Sequence, residues 1–229
     1  MNEIKELDIE KITEMVQEHF KAEQQQKADR YRVLNRMVKK GQILFTGSSL
    51  MEQFPVNELM MTELPGKIIY NRGIGGFTTT DMLNNLDVQI FDLEPSVIFI
   101  NIGTNDLNGE DKTLDEVLAA LEKNYGEILK QISERLPETK VYLMAYYPVN
   151  EEAAPETSKG MFGNRSNKNM PLINARVEAL AKAYGYNYIN VNDGLTDEKG
   201  NLKKEYTIDG VHMYGDAYKV ILGNMKKYL

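Results

Sequence analysis

Two kinds of apolar spacing divide this chain. Over the first forty residues Ile4, Leu7, Ile12, Val16 and Phe20 recur at the spacing of one helix face. From Gly41 onward short apolar runs take over, at residues 42–46, 67–70, 97–101, 140–146 and 187–191. The third contains Val97-Ile98-Phe99-Ile100 without polar alternation, as expected for a strand covered on both faces. Helical patterns lie between these runs. The clearest spans 114–136, opened by a Thr113/Glu116 capping-box pattern and closed by Pro137. Its apolar stripe is Leu114, Val117, Leu118, Leu121, Tyr125, Ile128, Leu129 and Ile132. A second helix is predicted over 171–184, with Asn169 as its N-cap and Gly185 just past its end. A last one covers 216–227.

Strands alternating with helices imply an α/β domain, a parallel sheet with helices on both faces. The domain is expected over 41–229 and a helical extension over 1–40. The extension reads as a solvated helical pair packed on the domain. Its charge is uneven, with seven acids and three bases in residues 1–23, then one acid and six bases in 24–40. Its amphipathic stripe suggests a homodimer contact. In sheets of this kind ligands bind beyond the carboxyl ends of the strands, so the loops after each run are where chemistry belongs. The longest loop, 148–168, is long enough to be functional or mobile.

Composition removes several classes of function. A formal net charge of -7 without a basic stripe argues against nucleic-acid binding. No apolar run approaches the ~18 residues needed to span a bilayer. The first ten residues carry four acids and no apolar leader, so no secretory signal is read there and a cytoplasmic location is expected. Cysteine is absent, which excludes disulfides, thiolate metal sites and a cysteine nucleophile. Only His19 and His212 can supply an imidazole, and His19 lies on the extension as a surface or packing residue.

Four loops then hold the candidate chemistry. The first, Gly47-Ser48-Ser49-Leu50, is either a turn with a helix cap or an exposed hydroxyl at the sheet edge. The second, Asn71-Arg72-Gly73-Ile74-Gly75-Gly76-Phe77-Thr78, is either a tight turn capped by Thr78 or a set of aimed N–H groups. It has neither dinucleotide-fingerprint nor P-loop spacing. The third, Gly103-Thr104-Asn105-Asp106, offers an amide or a turn. In the fourth, Asp209 stands three residues before His212, close enough to hold its ring. Together these are the parts of an acyl-transfer site. The G-x-S-x-G elbow of α/β-hydrolases is missing.

In these residues the chain resembles the SGNH, or GDSL-like, hydrolases, and within them the branch of platelet-activating-factor acetylhydrolase catalytic subunits and bacterial relatives. The likeness spans about 42–229. The family's Gly-Asp-Ser-Leu block corresponds to Gly47-Ser48-Ser49-Leu50, and its oxyanion glycine to Gly76. Its Gly-x-Asn-Asp block is matched by Gly103-Thr104-Asn105-Asp106, and its Asp-x-x-His by Asp209 and His212. The resemblance implies a three-layer α/β/α, flavodoxin-like fold with a five-stranded parallel sheet. It implies Ser49 as nucleophile, His212 as base and Asp209 as its orienting partner. Ser49, Gly76 and Asn105 would form the oxyanion hole, with no metal or organic cofactor. The implied substrate is a small-molecule ester with a short, acetyl-like acyl group. Thioesterase and lysophospholipase activities also occur in the family. Ser48 replaces the usual Asp, and Phe77 stands where an Asp often follows the oxyanion glycine. Outside the family, the same pieces would suit a non-catalytic module holding an acylated ligand, or a flavodoxin-like nucleotide binder. Residues 51–61 and 148–168 are expected to shape the pocket.

Overall fold

A computed structural model describes the backbone of residues 2–108 and 112–229, with side chains described for all of these except 2–8 and 10. Five parallel strands form one sheet in the order β2-β1-β3-β4-β5. They are β1 (Ile43–Gly47), β2 (Ile69–Asn71), β3 (Val97–Asn101), β4 (Lys140–Met144) and β5 (Asn187–Ile189). All five predicted runs are strands, and the last two end earlier than expected. The sheet order reverses between β1 and β3, where Gly47 pairs with Asn101. That switch point is where open α/β sheets bind ligands.

Alternation along the strands fills two cores. Leu44, Ile98, Ile100, Val141 and Leu143 face one side, against α4 (Thr79–Leu83), α5 (Leu86–Gln89), α6 (Leu114–Arg135) and α7 (Met170–Ala183). Ile43, Phe45, Phe99, Tyr142 and Met144 face the other, against α2 (Ser49–Glu52), α3 (Val56–Glu63) and α8 (Gly215–Met225). The predicted stripe of α6 is buried except for Leu114, which is half-buried. The Thr113/Glu116 capping box is present, with Glu116 accepting the Thr113 N–H at 2.9 Å.

Two local expectations change. Asn169 does not cap α7, because its side-chain amide donates to Asn164 O at 2.9 Å instead. The 148–168 segment carries 3₁₀ turns at Glu151–Ala153 and Glu156–Met161. Asn167 ties its two ends together by bonding the N–H (2.9 Å) and C=O (2.8 Å) of Val149.

The extension differs most from its reading. It is one 33-residue helix, α1 (Asn2–Leu34), not a helical pair. No glycine or proline occurs before Gly41 to break it. The described side chains from Ile9 to Glu23 are exposed, although the half-exposed Phe20 ring stands beside Gly76 of the domain. From Gln24 onward α1 lies along the domain, burying Ala28 and then Asn35 in the following turn. The Ile4 and Leu7 side chains of the predicted stripe lie outside the described residues. His19 is exposed beside Glu23. Among the described residues no helix is long and apolar enough to cross a membrane.

Candidate active site

The site is built from backbone outward. At the end of β1 the chain turns at Gly47, with φ +152°. A Cβ there would run into Asn101 O on β3, so only glycine fits. The two serines that follow part company. Ser48 is fully buried and its hydroxyl has no hydrogen-bond partner among the described residues. Ser49 opens the short α2 and lines a cleft.

His212 arrives from a tightly bonded turn. Asp209 Oδ1 accepts the N–H groups of Val211 (3.0 Å) and His212 (2.7 Å). Asp209 Oδ2 lies 2.6 Å from His212 Nδ1, and His212 Nε2 lies 2.9 Å from Ser49 Oγ. The carboxylate beside Nδ1 assigns the ring proton to that nitrogen and leaves Nε2 to accept the serine proton. Burial pushes the Asp209 carboxyl up, but hydrogen bonds from the His212 ring and from the His212 and Val211 N–H groups outweigh it and hold it at about 2.

Asp209 therefore binds fewer protons when folded than when unfolded, where its ordinary value is 3.8. The stability it contributes is fully present above that value and is lost as pH falls toward about 2. We expect the melting temperature of the wild-type protein to fall more steeply from pH 4 to pH 2 than that of Asp209→Asn. Thermal melts across that range check this, and parallel curves would refute it.

The glycine loop after β2 is held at several points. Gln89, fully buried, donates to Gly47 O at 3.0 Å and Arg72 O at 2.8 Å, joining the first two loops. The Gly75 N–H goes to Glu52 Oε2 at 2.6 Å. The Gly76 N–H has no hydrogen-bond acceptor among the described residues. Gly76 takes φ +76°. Thr78 caps α4 in a capping box with Asp81, so the predicted Thr78 cap is present. Half-buried Asp106 accepts the Thr79 N–H at 2.9 Å and bonds its hydroxyl, which ties the third loop to the start of α4.

Asn105 is gripped on both ends. Its Nδ2 donates to Phe77 O at 3.0 Å. Its Oδ1 accepts from Arg165 Nη2 at 3.0 Å, and the same guanidinium donates twice to Thr104 O, at 2.7 and 3.1 Å. Arg165 is 2% exposed. Burial lowers its pKa to about 10, the Asp209 charge opposes that, and the group stays cationic at neutral pH. Sequence reading did not single out Arg165. The one available signal was that Arg165 is the single arginine of the long loop, beside Lys159 and Lys168.

Ser49, Gly76, Asn105 and His212 line one cleft of about 470 Å³, with Asp209 behind the imidazole. From segment 51–61 only Glu52 and Gln53 reach it, because Met51 is core. From 148–168 Met161 and Arg165 do, and from α1 Phe20 and Lys27.

A family profile described as GDSL-like Lipase/Acylhydrolase matches residues 53–220. The chain belongs to that family. The matched span begins after Ser49 and ends beyond His212. The acylhydrolase is 26% identical over 193 residues to platelet-activating factor acetylhydrolase IB subunit alpha2 of Rattus norvegicus, covering 82% of this chain and 76% of that relative. The Homo sapiens subunit gives the same identity and coverage. A solved protein of Streptococcus pneumonia, provisionally described as a platelet activating factor, is 35% identical. It superposes with a TM-score of 0.82 over 94% of this chain and 97% of its own. A GDSL-like lipase of Bacteroides thetaiotaomicron shares the fold at TM-score 0.70 and 23% identity, over 88% of this chain and 96% of its own. Family membership makes this acylhydrolase an enzyme acting on ester bonds.

Proposed function

We propose that this acylhydrolase cleaves short-chain, acetyl-like O-acyl esters of small molecules through an acyl-serine intermediate. The reading rests on one observation, the 2.9 Å approach of His212 Nε2 to Ser49 Oγ with Asp209 behind the ring. Similarity to acetylhydrolase subunits favours a small acyl group. Ser49 Oγ attacks the ester carbonyl while His212 Nε2 takes its proton, and Asp209 stabilises the imidazolium. The new oxyanion sits among the N–H of Ser49, the N–H of Gly76 and Nδ2 of Asn105. The C–O bond breaks and His212 hands its proton to the departing alcohol. Water then attacks the acyl-serine, giving its proton to His212, which returns it to Ser49 as the acid leaves. A panel of esters varying in acyl length and alcohol, run beside Ser49→Ala and a fluorophosphonate label, tests this. Activity that survives in Ser49→Ala would refute it.

We propose further that the projecting part of α1 pairs two copies of the chain. Ile9, Ile12, Met15 and Val16 are each about 60% or more exposed, at 64, 59, 68 and 62%. Ile12→Asp is expected to halve the mass seen by light scattering at equal concentration. A wild-type monomer, or an unchanged variant mass, would refute it.

A further inference from the structure

Helix α1 lies outside the 53–220 span of the family match, yet it reaches the cleft through Phe20 and Lys27. Its docked half grips the glycine loop with polar side chains. Tyr31 Oη donates to Gly73 O at 3.1 Å. Gln24 Nε2 donates to Gly75 O at 2.9 Å. Lys27 Nζ pairs with Glu52 Oε1 at 2.8 Å, and the other oxygen of Glu52 holds the Gly75 N–H. Both polar groups of Gly75 are thus fixed, one by α1 directly and one by a carboxylate that α1 holds. The anchor is reinforced behind the loop. Arg72 donates to Asn35 Oδ1 at 2.7 Å and lies over the Tyr31 ring at 4.8 Å.

This grip bears on the site because of where the loop stands. A methyl group at Gly75 would sit 3.7 Å from Ser49 Cβ, and one at Gly76 would run into the Phe20 ring. A glycine turn has little stiffness of its own. An oxyanion donor works only within a few tenths of an ångström of its place, and a 1 Å error costs about 100-fold in rate. Phe20 and Met161 are the large apolar side chains in a lining that is otherwise mostly polar.

We infer that helix α1 is a working part of the hydrolytic site. Gln24 and Lys27 are positioning residues that hold the Gly75–Gly76 turn beside Ser49. Phe20 is a specificity-determining wall that contacts the apolar portion of the ester. The inference rests on ester hydrolysis at Ser49.

The test uses the full chain and p-nitrophenyl acetate and hexanoate, with kcat and KM measured separately and melting recorded for every variant. Gln24→Ala/Lys27→Met is expected to lose about 10- to 100-fold in kcat with KM nearly unchanged. Lys27→Arg, which keeps the charge, is expected to retain most of the rate, and the exposed-surface variant Thr13→Ala all of it. Phe20→Ala is expected to shift the hexanoate-to-acetate ratio of kcat/KM by about 10-fold. If the double variant melts early, Gln24→Ala alone carries the same expectation, since it removes one contact from a half-exposed position. Full kcat in that variant together with an unchanged ester ratio in Phe20→Ala overturns the inference and leaves the hydrolase reading standing. A wild-type protein inert to both esters and to a fluorophosphonate overturns that reading and the inference with it.

Discussion

Ser49→Ala is expected to lower turnover of a small chromogenic acetate ester by roughly 10⁴–10⁶-fold and to abolish labelling by a fluorophosphonate. His212→Ala is expected to come close to the same loss, because the two side chains act as one unit and removing either ends proton transfer. The discriminating control is the neighbour. Ser48 is a hydroxyl too, but it is fully buried and its oxygen has no hydrogen-bond partner among the described residues. Its peptide N–H bonds Asn101 O at 3.3 Å, and alanine keeps that bond. Removing a buried, unsatisfied hydroxyl relieves a desolvation cost of about 1–3 kcal/mol. Ser48→Ala is therefore expected to leave the rate within about threefold of wild type and to melt no earlier. Ester turnover, labelling and a thermal melt on the two variants decide the matter. A dead Ser48→Ala beside an active Ser49→Ala would mean that the nucleophile is misassigned.

How far these features could be read without coordinates depended on what kind of side chain encoded them. The strands were legible because unbroken apolar runs such as Val97–Asn101 leave few alternatives to a buried strand. Helix α6 was legible because its stripe and its capping box agree. The docking of α1 was not legible, and the reason is instructive. Its exposed half carries the apolar positions Ile12, Val16 and Phe20, which read as part of a packing face. The residues that meet the domain are Gln24, Lys27, Ala28, Tyr31 and Asn35, at helical spacing but mostly polar. A face that docks through hydrogen bonds leaves no hydrophobic periodicity to find. The candidate site was legible as a set of loops because strand order confines them to one sheet edge. The buried brace behind Asn105 was not. Whether Arg165 sits in solvent or inside the protein depends on how the long loop folds back over the third strand.

That brace makes the second large prediction. An asparagine amide is nearly symmetric in shape, and whether its N–H₂ or its oxygen faces a given point is set by its neighbours. Here a buried cation takes the oxygen end, through Arg165 Nη2 at 3.0 Å, and Phe77 O takes one hydrogen of the nitrogen end at 3.0 Å. In the proposed mechanism the second hydrogen of Nδ2 serves the oxyanion. Asn105→Ala is expected to cost about 10²–10³ in kcat by deleting that donor. Arg165→Met is expected to cost about 10² by freeing the amide to turn its oxygen toward the cleft, where it would repel the charge it should stabilise. The two losses are expected not to add, because both act on one donor. Arg165→Lys is expected to recover only part of the rate, since an ammonium cannot span Thr104 O and Asn105 Oδ1 as the planar fork does. Emptying this buried position also lowers stability, so rates belong well below the melting temperature of each variant. A merely structural role would lower the amount of active enzyme and leave kcat per titrated site unchanged. Active-site titration with a fluorophosphonate separates the two, and full kcat per labelled serine in Arg165→Met would remove Arg165 from the hydrolytic machinery.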